Sequence, residues 1–305
     1  MAEKILCRVL TGPTASGKSA LAMRLAREEG WEIICMDSMQ IYRRMDIGTA
    51  KPTPDERLLI PHHMLDIREP NETFSVSEYV EEAERTVKRL YSEGRQFLFV
   101  GGTGLYLQAM MHPMGMGSIP ADEKLRKELN GIANKPGGKE ALHERLMALD
   151  SDTAKRLPLN DVRRIIRAIE VTEKTGIPFS RQPDRAEESR FEWRTVSIEM
   201  DRSLLYKRIN ERVEEMIRLG LKDEVAGLLE SGVPENAQSM QAIGYKEMIP
   251  CVKGFCSLDQ AAETIRTNSR HYAKRQMTFL RREESVCYVN TQYDSAYEQI
   301  RKILK

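Results

Sequence analysis

Short apolar runs alternate with helix-like segments along the first third of the chain. The runs at residues 4–10, 31–36 and 96–100 each have the length and composition of one strand of a buried sheet. Residues 19–29 and 75–94 repeat their apolar positions every three or four residues, which predicts helices. Strands that alternate with helices favour a parallel sheet with helices on both faces.

The pattern changes at the glycine- and proline-rich stretch HPMGMGSIP. Charged segments with helical periodicity follow it, and no convincing strand is predicted before residues 194–200. We therefore predict an all-helical insertion at residues 118–193, within a sheet domain made of residues 1–117 and 194–305. The tail of the chain is helical again. The helices predicted in the insertion and the tail cover residues 122–133, 139–149, 160–174, 203–229 and 258–282.

Composition fits a globular protein of one large or two modest domains. Of the 305 residues, 41% are hydrophobic and 30% are charged, which is enough apolar material for a core. No signal-peptide core and no apolar run of about 20 residues occurs, so we expect a soluble cytoplasmic protein without a membrane segment. The five cysteines form no CxxC pair, which argues against a structural zinc site. Because the net charge is only +1, nucleic-acid binding would depend on where the charges lie.

Residues 12–19, GPTASGKS, match the pattern G-x-x-x-x-G-K-[ST] between a predicted strand and a predicted helix. In this setting backbone N–H groups turn inward around an anion, and the helix adds the positive end of its dipole. Lys18 supplies a mobile cation, and the Ser19 hydroxyl is a ligand for Mg²⁺. The motif predicts a di- or triphosphate site without saying what the phosphate carries. Its candidate residues are Gly12, Thr14, Ala15, Ser16, Gly17, Lys18 and Ser19.

An ATP-driven motor fits this sequence less well. Such proteins place an aspartate at the end of a neighbouring hydrophobic strand to organise Mg²⁺ and water. Here the strand in FLFVGGTG ends in Gly101 and Gly102, and no arginine-rich lid or H-R-D loop follows it. The pattern therefore favours a different use of the bound phosphate.

Two polar residues follow predicted strands at the edge where parallel sheets bind their ligands. Asp37 follows the second strand, where its carboxylate could accept a proton from an attacking group or could cap a turn with Ser38. Thr103 follows the strand at 96–100, where its hydroxyl could contact a leaving-group oxygen or cap the helix that begins near Leu105.

Basic side chains concentrate on two predicted helices. Arg266, Arg270 and Lys274 recur every four residues and therefore lie on one helix face. Such a face suits contact with a phosphate backbone, although a solvated surface explains most runs of charge. The other cations of this helix and those of the second cluster are Arg275, Arg281, Arg282, Arg163, Arg164 and Arg167.

Seven motifs, taken together and in order, resemble the tRNA dimethylallyltransferase family over nearly the whole chain. The resemblance implies an enzyme that transfers a dimethylallyl group from its diphosphate to the exocyclic amine of the adenosine on the 3′ side of the anticodon. It also implies Mg²⁺ as cofactor and the anticodon stem-loop of tRNA as partner. The sequence does not determine the oligomeric state, and we expect a monomer. The motifs are GPTASGKS, DSMQIYRRMDIGTAKP (37–52), HHMLDI (62–67), GGTGLY, RRIIRAIEV (163–171), QAIGYKE (241–247) and AKRQMTFLRR (273–282).

The resemblance also implies roles for individual residues. Residues of the glycine loop would bind the diphosphate, Asp37 would be the general base, and Thr103 would lie at the reaction channel. Arg208 or Arg212 would help to hold the diphosphate, and the sequence does not decide between them. Phe279 stands where the family often has tryptophan. The residues that would contact the target base, the channel or the tRNA are Ser38, Met39, Gln40, Arg126, Arg163, Arg164, Arg167, Gln241, Gly244, Lys246, Arg270, Lys274, Arg275, Gln276 and Arg281.

Three other functions share part of this pattern. A small-molecule or nucleotide kinase would use the same loop and Asp37, but would leave the insertion and the basic tail unexplained. A prenyltransferase acting on free adenine nucleotides would leave the same two parts without a task. A non-catalytic RNA-binding module related to GTPases would bind tRNA without forming a product.

Overall fold

A six-stranded parallel sheet forms the centre of the larger part of the chain. The computed structural model describes residues 4–112, 119, 121–182 and 191–305. The order of the strands across the sheet is β3-β2-β4-β1-β5-β6, and every neighbouring pair is parallel. The strands are β1 (Ile5–Thr11), β2 (Glu32–Cys35), β3 (His62–His63), β4 (Phe97–Gly101), β5 (Phe191–Glu199) and β6 (Val286–Asn290).

The predicted fold class is confirmed: a phosphate-loop α/β sheet flanked by helices, with a helical insertion. Four strands match the apolar runs, although β5 begins three residues before the predicted start at Arg194. Two strands were not predicted, because β3 has only two residues and β6 lies at the sheet edge with only Val286 and Val289 buried. A short or half-exposed edge strand lacks the continuous apolar run on which the prediction relied.

Thirteen α-helices occur in the described residues, and several begin or end at clear signals. Helix α3 begins at a capping box in which Ser75 and Glu78 exchange hydrogen bonds, and α1 ends at Gly30. None of these helices combines the length and the hydropathy that a membrane crossing requires. They are α1 (Lys18–Glu29), α2 (Pro54–Leu59), α3 (Val76–Ser92), α4 (Gly104–Met111), α5 (Glu123–Ala133), α6 (Gly138–Leu149), α7 (Ser151–Arg156), α8 (Val162–Thr175), α9 (Arg202–Arg218), α10 (Leu221–Glu230), α11 (Tyr245–Val252), α12 (Leu258–Leu280) and α13 (Ala296–Leu304).

Side-chain alternation along the strands builds a hydrophobic core on each face of the sheet. In β1, Val9 belongs to the core that includes α3, whereas its neighbour Leu10 belongs to the core that includes α1 and α13. Both side chains are fully buried. The sheet is therefore covered on both faces, and its ligand-binding edge is the carboxyl end of the strands.

The chain divides into two compact units, Met1–Met111 with Ser189–Lys305 and His112–Glu188. The first predicted boundary of the insertion, residue 118, lies outside the described residues, and the second falls within β5. The smaller unit has its own apolar core, in which Leu129, Leu146 and Ile165 are fully buried. Each unit thus carries the kind of buried core that an independently packed region needs.

Candidate functional site

The glycine loop joins β1 to α1 at the carboxyl edge of the sheet. Its backbone has positive φ at Gly12 (145°), Ala15 (60°) and Gly17 (86°). A side chain at Gly12 would also press against the backbone of Ile198 in β5. The N–H groups of Gly17, Lys18 and Ser19 donate to no acceptor within the described residues. Unpaired amides at the start of a helix form a site for an anion.

Lys18 is the first residue of α1 and lines the cavity beside the loop. Its ammonium group donates to the carbonyl of Pro13 at 3.1 Å. Burial and then repulsion from Arg212 lower the pKa of Lys18 to about 8, although Asp37 partly opposes the shift. A cation in this position would be stabilised by an anionic ligand.

Two arginines of α9 also reach the loop. Arg208 donates to the carbonyl of Ser16 at 3.4 Å, and Arg212 donates to Thr14 Oγ1 at 3.2 Å and to the carbonyl of Thr49 at 3.3 Å. Burial lowers the pKa of Arg212, and Asp37 opposes the shift. The sequence left open which arginine would serve the loop, and in the structure both guanidinium groups contact it.

Asp37 follows β2, and its two carboxylate oxygens have different hydrogen-bond partners. Oδ1 accepts the N–H of Met39 at 2.9 Å and the N–H of Gln40 at 3.4 Å, so it caps a turn. Among the described residues, no hydrogen bond reaches Oδ2. One oxygen therefore fixes the turn, and the other is available to a ligand.

Thr103 connects Asp37 to α12. Its hydroxyl accepts the N–H of Ser38 at 3.1 Å, and its own N–H donates to the carbonyl of Met36 at 3.3 Å. The Tyr272 hydroxyl of α12 lies near that of Thr103. Burial, and after it the nearby charge of Asp37, raise the pKa of Tyr272 to about 12. Tyr272 therefore stays protonated at neutral pH and remains able to donate.

Two cavities meet at these residues. The first, which we call the phosphate cavity, has a volume of about 470 Å³ and is lined by the glycine loop, Lys18, Ser19 and Arg208. The second, the base cavity, has a volume of about 270 Å³ and is lined by Ser38 and Met39 together with residues of α9, α11 and α12. The residues that line both cavities are Thr14, Asp37, Thr49, Arg212 and Tyr272.

Gln40 is held firmly at the wall of the phosphate cavity. Its side-chain amide donates to the carbonyl of Thr49 at 3.0 Å and to that of Ala50 at 3.2 Å. Its Oε1 accepts from the Cys35 thiol at 3.2 Å, and burial raises the pKa of this thiol. The segment that carries Asp37 is thus tied to the loop at Thr49.

The other predicted tRNA-binding residues of the larger unit lie in different places. Gln241, Lys246 and Arg275 line the base cavity, whereas Lys274 and Arg281 are exposed. Arg270 donates to Asn210 Oδ1 at 2.9 Å and lies 3.8 Å from Glu263. Gly244, with φ of 103°, precedes α11, and the side chain of Gln276 is buried.

Two of the four predicted residues of the smaller unit, Arg126 and Arg167, contact one buried carboxylate. Glu170 is fully buried and accepts hydrogen bonds from Arg126 at 2.9 and 3.0 Å and from Arg167 at 2.5 Å. Burial opposes ionisation of Glu170, but these hydrogen bonds lower its pKa overall. Arg163 and Arg164 are exposed on α8.

Sequence reasoning missed Tyr272 and Thr49 as site residues. Tyr272 lies one helical turn before Gln276 and could have been considered with it. Thr49 contributes its carbonyl rather than its side chain, so residue type gave no signal.

A magnesium ion fits the donors of the phosphate cavity only together with a phosphate ligand. The described residues contain no group of three or more His, Cys, Asp or Glu side chains that could hold a metal. The Ser19 hydroxyl lines the cavity and has no hydrogen-bond partner among the described residues. Mg²⁺ is commonly bound by one or two protein oxygens, substrate phosphates and water, which is the set available here.

Comparison with known proteins gives one consistent picture. The sequence profile of a family described as IPP transferase matches residues 40–283. The chain is 47% identical to a tRNA dimethylallyltransferase of Geobacillus thermodenitrificans over 287 residues, which cover 94% of this chain and 90% of that protein. A tRNA dimethylallyltransferase of Shouchella clausii is 44% identical, over 95% of this chain and 93% of that protein.

Solved structures agree with the sequence relatives. The full-length tRNA isopentenylpyrophosphate transferase of Bacillus halodurans superposes with a TM-score of 0.71 at 39% identity, covering 98% of this chain and 95% of that one. A eukaryotic dimethylallyltransferase acting on tRNA gives a TM-score of 0.80 at 26% identity, covering 97% of this chain and 77% of that one.

Proposed function

The chain belongs to the IPP transferase family, and from this premise we propose the reaction of a tRNA dimethylallyltransferase. The enzyme transfers the dimethylallyl group of dimethylallyl diphosphate to N6 of the adenosine on the 3′ side of the anticodon, and releases diphosphate. The observation that carries the proposal is the meeting of two cavities at Asp37, Thr14 and Arg212. A transferase needs this arrangement because donor and acceptor must approach one point from separate binding sites.

The diphosphate of the donor binds in the phosphate cavity. Lys18 and the unpaired amides of the glycine loop can donate hydrogen bonds to the diphosphate oxygens. Arg208 and Arg212 reach the same loop from α9, so ammonium, backbone N–H and guanidinium donors surround the leaving group. As the bond from the allylic carbon to oxygen breaks, negative charge grows on the diphosphate, and fixed donors stabilise it.

Mg²⁺, when bound, would help to stabilise the negative charge on the departing diphosphate. Ser19 would hold it together with oxygens of the diphosphate, and the ion would neutralise part of the charge on the leaving group.

The adenine occupies the base cavity, with its exocyclic amine directed at Asp37. A neutral exocyclic amine is a weak nucleophile, so its alignment with the allylic carbon matters as much as activation. Asp37 Oδ2 accepts the proton that the amine loses, while Oδ1 keeps the turn in place. Thr103 and Ser38 hold the neighbouring backbone, which fixes the direction of the carboxylate.

The tRNA itself contacts basic side chains around the base cavity. Lys246 and Arg275 line that cavity, and Lys274 lies exposed on the same helix as Arg275. We include Gln241, Gly244, Arg270, Arg281 and, in the insertion, Arg126, Arg163, Arg164 and Arg167 in the proposed tRNA-binding surface. Extrusion of a nucleotide from the anticodon loop costs only a few kcal/mol, so a folded tRNA is a suitable substrate. We propose that the enzyme acts as a monomer in the cytoplasm, where tRNA functions.

Mass spectrometry of tRNA tests the proposal directly. Incubation of the protein with unmodified tRNA, dimethylallyl diphosphate and Mg²⁺ should add one dimethylallyl group to the adenosine next to the anticodon. Parallel reactions should offer AMP in place of tRNA, and ATP with a small acceptor in place of dimethylallyl diphosphate. Product on AMP alone would favour an adenylate prenyltransferase, and phosphoryl transfer from ATP would favour a kinase; either result would refute the proposal.

A further inference from the structure

Helix α12 inserts one side chain deep into the sheet edge. Gln276 is only 6% exposed, whereas its neighbours Lys274 and Arg275 on the same helix are exposed. The helix therefore presents charge to solvent on one side and a neutral carboxamide to the phosphate site on the other. A polar group buried to this extent needs hydrogen-bond partners.

The carboxamide of Gln276 has a partner on each side. Its Oε1 accepts the N–H of Thr14 in the glycine loop at 2.9 Å, and its Nε2 donates to the carbonyl of Gly102 at 2.9 Å. Gly102 leaves the room for this contact, because a side chain there would collide with the amide of Gln276. One side chain thus connects the end of β1 with the end of β4.

Each of these partners leads to a residue of the proposed reaction. The side chain of Thr14 accepts from Arg212 at 3.2 Å, and Thr103 directly follows Gly102. Tyr272, one helical turn before Gln276, lines the same two cavities as Asp37. Gln276 therefore holds both the loop and the strand end that border Asp37.

We propose that Gln276 is a positioning residue for the diphosphate site, and not a contact of the tRNA. This proposal rests on the proposed function, and it gives the two sides of α12 two separate roles. The exposed cations face the tRNA, and the buried carboxamide fixes Thr14 and, through it, Arg212. A direct contact with tRNA would require the side chain of Gln276 to leave both of its hydrogen bonds and its buried position.

Two titrations of the variant Q276L test the proposal. Leucine has a similar volume but forms neither hydrogen bond, so the glycine loop loses its link to β4. Binding of inorganic diphosphate with Mg²⁺, measured by calorimetry, should weaken about tenfold or more. Binding of an anticodon stem-loop RNA, measured by fluorescence anisotropy, should stay within about twofold of the wild-type value.

The control is T264A, which removes an exposed hydroxyl that bonds back to the carbonyl of Gln260 in the same helix. Both affinities of this variant should equal those of the wild type. If Q276L is too unstable to titrate, Q276M offers an unbranched side chain that follows the same path without the amide.

Opposite results would overturn the inference. Weakened stem-loop binding with unchanged diphosphate affinity would make Gln276 a tRNA contact, and two unchanged affinities would make it a packing residue. The failure of the proposed function is distinguishable, since wild-type protein would then bind no diphosphate or no stem-loop. Wild-type binding of both ligands together with wild-type behaviour of Q276L refutes only the role of Gln276.

Discussion

The sequence allows Asp37 to be either a proton acceptor or the cap of a turn, and its two carboxylate oxygens leave room for both roles. The structure shows the turn cap, because Oδ1 accepts two backbone N–H groups, and it also leaves Oδ2 at the junction of the two cavities. An alanine at this position would remove both functions at once. A test of the base must therefore preserve the cap.

The variant D37N makes that separation. Its side-chain oxygen can still accept the N–H groups of Met39 and Gln40, but its amide cannot accept a proton. We expect kcat to fall by about 10²–10⁴-fold, the usual contribution of a general base, with the Kd for tRNA nearly unchanged. Single-turnover prenylation and a tRNA binding titration measure the two quantities. Loss of tRNA affinity in parallel with kcat would contradict a base at Asp37.

Lys18 gives the binding of diphosphate a dependence on pH. Its pKa is lowered to about 8 by burial and by Arg212, so the free protein loses this cation as the pH rises through 8. An anion favours the charged form, so binding near pH 8 should take up protons and should weaken as the pH increases further.

Calorimetry in two buffers of different ionisation enthalpy measures this proton uptake. The variant K18M removes the titrating group, so the difference between wild type and K18M isolates Lys18 from the ionisation of diphosphate itself. Equal proton uptake by the two proteins would show that Lys18 is already fully charged in the free enzyme.

At the scale of elements, the segment between β2 and α2 depends on a carboxylate from a distant helix. Glu224 of α10 accepts the N–H groups of Asp46 at 2.9 Å, Ile47 at 2.8 Å and Gly48 at 3.2 Å. It also accepts the hydroxyl of Tyr245 at 2.6 Å. The same segment then supplies the carbonyl of Thr49 to Gln40 and Arg212, so its position affects the site.

The variant E224Q should loosen this segment. The amide has one acceptor oxygen where the carboxylate has two, and its NH₂ group faces other donors, so unfolding should become easier by about 1–3 kcal/mol. We expect a reduced kcat as well, because Thr49 no longer holds Arg212 in place. Thermal denaturation and prenylation assays measure the effects, with E230Q on the exposed end of α10 as control. A melting temperature equal to that of E230Q would refute the anchoring role.

Helix α9 shows where periodicity alone reaches its limit. Arg208 and Arg212 are four residues apart and therefore share a helix face, so the sequence could not choose between them. In the structure the first contacts Ser16 and the second contacts Thr14. Neither contact could be predicted, because the distance from α9 to the loop depends on how α9 packs against α12 and the sheet.

At the scale of the whole molecule, the near-neutral charge conceals an uneven distribution. The net charge of +1 gives no sign of a polyanionic partner. Many arginines are paired with carboxylates, as Arg126 is with Glu170, whereas Arg275 lines the base cavity. If the proposed cations bind tRNA, its affinity should decrease with salt even though the net charge is near zero.

The sequence by itself determined the fold class, the glycine loop and the position of Asp37 at the sheet edge. These features are local, because strand periodicity, the φ angles of glycine and the order strand–loop–helix depend on residues that are close in the chain. The edge strands β3 and β6 escaped prediction since pairing with a neighbouring strand, and not an apolar run, defines them.

Only the tertiary structure decided which distant residues complete the site. Gln276 and Thr14 are separated by 262 positions in the chain and Glu224 and Ile47 by 177, yet each pair forms a hydrogen bond. Such contacts carry no local signature, because a glutamine or a glutamate on a helix has the same sequence pattern whether its side chain meets water or a buried amide. Their roles are fixed by packing, which brings the unpaired donors of one element to the acceptors of another.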